Sequence, residues 1–276
     1  MLFFAYPLGK NILMGSQEYT SQTFIDGSAP WNGLENYRAI FSNPVFWTSL
    51  SNTFAFTVFS IIGQFVIGMS LAVFFQRMFP LSRLLRSLVL LPWLIPLIAS
   101  AAVWKWILDQ DSGILNVTLV GLHIVDSPIP WISSPSVALL SIIAVNIWLG
   151  IPFNTILLFG GLQEVPREYY EAAELDGAVG WKAFWHITWP SVQPTVSVVL
   201  VLGVVYTLKV LDIIIGLTNG GPANSTETLT TFSYHLSFVS FNFGRGAAVG
   251  NVLIVVSLVF ALTYLWITRR NARAQA

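Results

Sequence analysis

The chain has 276 residues, of which 55% are hydrophobic and 9% are charged, whereas an ordinary soluble domain carries about 25% charged residues. This composition excludes an ordinary soluble protein and predicts that most of the chain lies in lipid. A formal net charge of zero argues against a nucleic-acid partner, which would need a basic surface, and the absence of cysteine excludes disulfides and thiolate metal sites.

Long apolar stretches predict membrane-spanning helices, each of which needs about 20 residues to cross the hydrocarbon. A weaker stretch at residues 2–14 is interpreted as the outer half of a further span that begins before Met1. A removable signal peptide is the alternative, although the segment lacks a basic head and a small-x-small cleavage pattern. The stretches long enough to span are residues 50–75, 85–108, 137–162, 196–217 and 247–268. The predicted fold is therefore an all-α polytopic membrane protein with six transmembrane helices in a single domain, residues 1–276.

Proline interrupts two of these stretches. Pro92 and Pro96 lie in the third predicted span and Pro152 in the fourth. Each removes a backbone donor and clashes one turn back, which predicts a kink. The kinks are interpreted either as plain packing features or as irregular helices that line a cavity, as in transporters.

The basic residues predict the orientation, because short loops rich in Lys and Arg stay in the cytoplasm. The opposite loops contain Arg38 and Arg245. Both termini are thus predicted to be cytoplasmic. The basic residues on the predicted cytoplasmic side are Arg77, Arg83, Arg86, Arg167, Lys182, Arg269, Arg270 and Arg273.

The longest polar stretch on the predicted cytoplasmic side is residues 164–194. Pro166 and clustered acidic residues, which favour the positive end of a helix dipole, predict a helix start, and Gly177 predicts its end. Apolar residues at helical spacing then predict an amphipathic helix, after which two prolines return the chain to the membrane. The acidic residues are Glu164, Glu168, Glu171, Glu174 and Asp176, the apolar ones Trp181, Phe184, Trp185 and Ile187, and the prolines Pro190 and Pro194.

Such a loop favours docking to a soluble protein partner, with Ala172 and Ala173 allowing that partner's surface to approach closely. The alternative is a helix that lies on lipid, for which Trp181 and Trp185 are well suited. Clustered carboxylates are disfavoured near anionic headgroups, so the protein partner is the preferred interpretation.

The same residues resemble the EAA loop of binding-protein-dependent ABC importer permeases. Trp189 departs from the pattern, which usually has leucine there, but it keeps an apolar anchor. Further similarity to the maltose-type sugar permeases lies in residues 33–37 and in residues 217–222 with 225–227. The positions that match the EAA pattern, including the aspartate typical of carbohydrate members, are Glu171, Ala172, Ala173, Asp176, Gly177, Ile187 and Pro190.

The resemblance implies a mechanism and a set of partners. Two homologous permease subunits pair, each EAA helix sits in a cleft of one of two ATPase subunits, and ATP-driven closure of these subunits turns the permeases outward. ATP and Mg are then bound by the partner ATPase, and this chain has no cofactor of its own. A separate extracytoplasmic solute-binding protein delivers the solute to the outer face, where residues 108–135 and 219–245 are available to it. The implied location is the cytoplasmic membrane of a prokaryote.

The sequence contains no G-x-x-x-x-G-K-[ST] phosphate loop, so the energy source is expected in another chain. His123, His186 and His235 are not at metal-ligand spacing, and no paired carboxylates indicate a membrane-embedded enzyme. An ion-coupled carrier would require ionisable residues at the midplane. Only Lys209 and Asp212 qualify, and three residues apart they are expected to share a helix face.

The expected solute is a sugar, with glycerol phosphate or another polyol derivative as the alternative. Aromatic rings cover the apolar face of a sugar and amides satisfy its hydroxyls. Each candidate has packing or interface anchoring as its alternative role. The candidates for the substrate path are Trp104, Asn146, Trp148, Asn154, Tyr206, Lys209 and Asp212.

Overall fold

The computed structural model describes residues 2–77 and 79–274, and the side-chain surroundings of residues 5–77 and 79–264. The side chains of Arg269, Arg270 and Arg273, on which part of the predicted orientation depends, lie outside the described residues. Within residues 2–77 and 79–274 the regular structure is helical and contains no strand. The prediction of an all-α chain is therefore confirmed over that part.

The helices of the N-terminal half include one very long helix, α4, and a group of shorter ones. In chain order they are α1 (Leu2–Met14), α2 (Ser21–Ile25), α3 (Glu35–Phe41), α4 (Pro44–Gln76), α5 (Ser82–Val89), α6 (Leu91–Leu94), α7 (Leu97–Ile107) and α8 (Ile114–Gly121).

The C-terminal half contains three long helices and two π-helical turns. In chain order its elements are α9 (Ala138–Gln163), α10 (Arg167–Leu175), α11 (Trp181–Ala183), the turn π1 (Phe184–Thr188), α12 (Trp189–Leu208), α13 (Asp212–Leu217), α14 (Leu229–Tyr234), the turn π2 (His235–Val239) and α15 (Phe243–Ala274).

Among the described residues, four helices are long and apolar enough to cross a membrane, or five if a bent pair counts as one span. The bent pair is Ser82–Leu94 with Leu97–Ile107, which meet at 98°. The break lies at Ile95 and Pro96, where proline disfavours helical backbone in the residue before it. Helix α1 has only 13 residues, so a count of six spans stays a prediction.

Pro152 lies inside α9, which is helical on both sides of it, because a proline deletes a single amide donor and the hydrogen bonds on either side keep the helix intact. The kink expected there stays a prediction. The prediction of one helix over residues 196–217 is wrong. Helix α12 ends at Leu208 and α13 begins at Asp212, so residues 209–211 are outside both helices.

The chain divides into two compact units. The first comprises Met1–Thr57, Leu97–Ile143 and Leu208–Ala276. In it the N-terminal end of α4 packs with α3, α14 and α15, and the amide of Leu229 donates to the Thr53 hydroxyl at 2.8 Å. The buried centre of this packing consists of Ile40, Phe46, Leu229, Phe232, Ala248 and Val249.

The second unit comprises Val58–Pro96 and Ala144–Thr207. It contains most of α4, α9 and α12 together with residues 164–194. Apolar residues from these three helices interdigitate around small ones such as Ala72, which brings the helices close together. The buried centre consists of Met69, Ala72, Leu158, Leu162, Val165, Val192, Val196 and Val199.

Candidate functional site

The predicted acidic helix after Pro166 is present as α10, which begins at Arg167 with Pro166 as its N-cap and Glu168 in its first turn. Asp176 is the C-cap, and Gly177 follows with a φ of +71°. Glycine adopts this left-handed conformation without the steric cost that a side chain brings. The turn is fixed by the amide of Ala178, which donates to the carbonyl oxygen of Ala173 at 2.8 Å.

The two faces of α10 differ sharply. Glu171, Ala172, Asp176 and Gly177 are exposed, and Leu175 is 91% exposed. Their surface combines negative charge with one protruding apolar side chain.

The opposite face of α10 attaches the helix to its own unit. Ala173 is buried, so it packs inward rather than meeting a partner, in contrast to the expectation that both alanines face outward. The Tyr170 hydroxyl lies 3.0 Å from the Thr188 hydroxyl, and Tyr170 and Ile187 pack against the buried centre of the second unit. Pro190, at the start of α12, is exposed.

The predicted apolar stripe after Gly180 forms an aromatic cluster. The rings of Trp181 and Phe184 stack with centroids 5.4 Å apart, and those of Trp185 and Trp189 lie 5.8 Å apart. Trp181 and Trp185 are exposed. Helix α11, turn π1 and α12 follow one another without a break, so the amphipathic segment and the apolar one form a continuous helix, Trp181–Leu208.

The substrate-path candidates are divided between the units. Trp104, Lys209 and Asp212 belong to the first unit, and Asn146, Trp148, Asn154 and Tyr206 to the second. The expectation that Lys209 and Asp212 share a helix face is wrong, because one helix ends before Lys209 and the next begins at Asp212. Both side chains are exposed.

Asn146 and Asn154 lie in a buried polar seam between α4 and α9. They are 5% and 4% exposed. The side-chain amide of Gln64 donates to the backbone carbonyl oxygen of Asn146 at 2.9 Å. The side-chain amide of Asn154 donates to the backbone carbonyl oxygen of Gly150 at 2.9 Å. A side chain at Gly150 would collide with Gln64, so close helix packing depends on this glycine. The seam joins two helices in the manner of interhelical hydrogen bonds within membranes.

Tyr206 is the more accessible candidate in the second unit. It is 49% exposed, and its ring meets Phe153 edge to face with centroids 5.6 Å apart. Trp148 is half-buried on α9, and Trp104 is half-buried on α7 in the first unit.

A carboxyl–imidazole pair in the first unit was not predicted from the sequence. A Glu227 carboxylate oxygen lies 2.9 Å from Nδ1 of His235, and Nε2 of His235 lies 3.2 Å from the side-chain oxygen of Asn219. Burial raises the pKa of the Glu227 carboxyl, and the charge of His235 and hydrogen bonds from His235 and Thr231 oppose that shift. The pair ties the 218–228 loop to the start of π2.

The same loop is also held by α4. The side-chain amide of Asn52 lies within hydrogen-bond distance of the carbonyl oxygens of Asn224, Ser225 and Glu227, at 3.3, 3.1 and 2.9 Å. Asn224 itself has a φ of +60°. This irregular backbone is therefore fixed by side chains rather than by a regular helix or strand.

A family model and two relatives that match this chain are all described as membrane components of transport systems. The family model of the binding-protein-dependent transport system inner membrane component matches residues 64–273. The trehalose/maltose transport system permease protein MalF of Thermococcus litoralis is 34% identical over 90% of this chain and 82% of its own length. The sulfoquinovosyl glycerol transport system permease protein SmoG of Agrobacterium fabrum is 32% identical over 97% of this chain and 86% of its own length.

A solved structure shares the fold. One chain of a bacterial alginate ABC transporter, crystallised in complex with an alginate pentasaccharide-bound periplasmic protein, matches with a TM-score of 0.83 at 22% sequence identity. The match covers 98% of the present chain and 89% of that chain.

Proposed function

The chain belongs to the family of binding-protein-dependent transport system inner membrane components, and we propose that it is the permease subunit of an ATP-driven importer that moves a sugar across the cytoplasmic membrane of a prokaryote. The observation that carries the proposal is the exposed acidic helix α10, which ends at Gly177 in a chain of long apolar helices. The sugar is supported by the names of the two relatives, which refer to trehalose or maltose and to sulfoquinovosyl glycerol.

The proposed complex contains a second, homologous permease, two ATP-binding subunits that bind ATP and Mg, and an extracytoplasmic solute-binding protein. The family description, which makes transport dependent on a binding protein, supports the last of these. The missing phosphate loop supports an ATP site on another chain. This chain is accordingly a transport component rather than an enzyme, and we assign residues 1–276 to one permease domain.

The coupling role is assigned to the 164–194 segment. Glu171, Ala172, Asp176 and Gly177 are exposed on α10 and its C-terminal turn, so they are proposed to contact the ATPase subunit. Ala173 and Ile187, which pack inward, and Pro190, at the start of α12, are proposed to hold the segment on the membrane helices. This assignment requires both termini and the loop to be cytoplasmic, as the distribution of arginine predicts.

The proposed substrate-path residues include the exposed and half-buried candidates of each unit. These are Tyr206 and Trp148 in the second unit, and Lys209, Asp212 and Trp104 in the first. An exposed tyrosine ring provides the apolar face and the hydroxyl that a sugar requires. Asn146 and Asn154 are the weaker members of the set, because both are buried and the Asn154 amide already donates to the backbone of α9.

The function can be tested by purifying the chain with its partners from the membranes of its own host. Mass spectrometry of the complex should identify a second permease and an ATP-binding subunit, and the solute held by the associated binding protein should be a sugar. In proteoliposomes, uptake of that solute should require ATP. Uptake driven by a proton or sodium gradient in the absence of ATP would instead establish the ion-coupled carrier, and a polyol phosphate in the binding protein would establish the alternative solute.

A further inference from the structure

Helix α10 is short, with 9 residues, and its outer surface is free for a partner. The contacts that attach α10 to the rest of its unit therefore determine which other elements would move when a partner displaces α10. In the part of the chain that the structure describes, a single side-chain hydrogen bond leaves α10 for another element, and it joins the hydroxyls of Tyr170 and Thr188 at 3.0 Å.

Thr188 occupies a special position. It is the last residue of the π-helical turn Phe184–Thr188, it is 4% exposed, and α12 begins at the next residue. A π turn has hydrogen bonds between residues i and i+5 instead of i and i+4, and such turns are rare but frequent at functional sites. The hydrogen bond from α10 therefore meets the continuous helix Trp181–Leu208 at its least regular turn.

The surrounding packing would not by itself fix the position of α10. The Tyr170 ring packs against a buried centre of aliphatic side chains together with Phe184, Ile187 and Trp189. Apolar contacts are non-directional, so they allow one element to slide on another. A hydrogen bond between two hydroxyls is directional and weakens steeply when its geometry is lost.

We propose that Tyr170 is a positioning residue whose hydroxyl, through Thr188, passes movement of α10 to α12. This inference rests on the proposed coupling function of α10. Helix α12 carries Tyr206, which lies 18 residues beyond Thr188 and thus about 27 Å along a helix that rises 1.5 Å per residue. Displacement at the ATPase contact would in this way reach the proposed substrate path as a displacement of one helix.

Tyr170→Phe is the variant that tests the link, because it removes the hydroxyl and keeps the ring in its packing. Thr188 remains satisfied, since a threonine hydroxyl in a helix can bond to the carbonyl oxygen one turn back. Tyr169→Phe is the matched control: it is the same substitution one residue earlier on the same helix, at a side chain that is 56% exposed. Thr188→Val removes the other hydroxyl, and Thr188→Ser restores it.

The measurement is solute uptake per ATP hydrolysed by the complete transporter in proteoliposomes, with ATPase-subunit retention determined on the same preparations. Tyr170→Phe and Thr188→Val should each lower the uptake per ATP about threefold to tenfold, the range expected for one lost hydrogen bond. Retention of the ATPase subunit should be unchanged. The double variant should be no worse than either single one, and Tyr169→Phe and Thr188→Ser should resemble the unaltered protein.

Two results would overturn the link. One is unchanged uptake per ATP in Tyr170→Phe; the other is a loss in Thr188→Ser as large as that in Thr188→Val, because a side chain that keeps its hydroxyl should keep the link. Failure of the proposed function itself is distinguishable, since the unaltered chain would then retain no ATPase subunit and show no ATP-dependent uptake.

Discussion

Replacing Glu227 with alanine should loosen the 218–228 loop. In the native structure the Glu227 side chain is 3% exposed and pairs with His235 at 2.9 Å, while the His235 side chain is 22% exposed. Removing one member of a fully buried pair costs about 3–5 kcal/mol, and an exposed pair contributes at most about 1 kcal/mol. Because His235 is partly solvated, the expected cost is about 2 kcal/mol, intermediate between these limits.

That cost corresponds to an increase of about 30-fold in the opening equilibrium of the loop, at 1.36 kcal/mol per tenfold. Amide hydrogen exchange of the purified protein reports it directly, because protection factors measure local opening. Asp126→Ala is the control, since it removes an exposed loop carboxylate elsewhere in the same unit. Unchanged exchange in Glu227→Ala would refute the assignment of the loop's stability to this pair.

Glu227→Gln separates the charge of Glu227 from its shape. An amide keeps an acceptor oxygen for His235 and cannot ionise, so it avoids the cost of burying a charge that raises the pKa of the Glu227 carboxyl. This variant should therefore be protected far better than Glu227→Ala. A carboxyl whose pKa is raised in the folded state contributes stability that is present below its ordinary pKa and is lost as the pH rises through the raised value. Protection of the native loop should therefore decrease over that window, and this decrease should be missing in Glu227→Gln.

The remaining predictions concern transport and topology. Gly177→Val should lower uptake and ATPase recruitment together without preventing membrane insertion, because a β-branched side chain is poorly tolerated at a φ of +71°; normal uptake and recruitment would contradict the coupling role. In this cysteine-free chain, a thiol reagent should label Ser82→Cys only from the cytoplasm and Ser127→Cys only from outside; the reverse would invert the topology. Lys209→Met with Asp212→Leu should assemble normally yet lose uptake or change solute preference, and unaltered transport would remove both residues from the path.

The membrane helices were predictable where hydropathy or proline in the segment itself indicates the structure. The apolar stretch at residues 50–75 corresponds closely to Pro44–Gln76, and the bend before Pro96 has a clear cause in proline stereochemistry. The break at residues 209–211 has no such signal. It contains neither glycine nor proline, and Val210 and Leu211 continue the apolar run, so hydropathy cannot distinguish an irregular segment there from helix.

In the candidate site, too, the features set by neighbouring residues were predictable and those set by residues far apart in the sequence were not. Pro166 and Gly177 act on the backbone next to them, so they located α10 within two residues of its ends. The pairing of Glu227 with His235 depends instead on a loop with left-handed residues such as Asn224 and on contacts to Asn52 in a distant helix. Neither residue lies in a periodic pattern that would indicate a partner, although Glu227 falls within a stretch that resembles the sugar permeases.

The continuity of Trp181–Leu208 changes how the segment after Gly177 must be understood. The sequence predicted an amphipathic helix followed by prolines that turn the chain back into the membrane. In the structure Pro190 and Pro194 both lie inside this continuous helix and neither ends it. The exposed aromatic rings and the apolar span therefore belong to a single helix. Because no linker separates the exposed rings from Leu208, a displacement of the N-terminal end is expected to pass along the helix as far as the irregular residues 209–211.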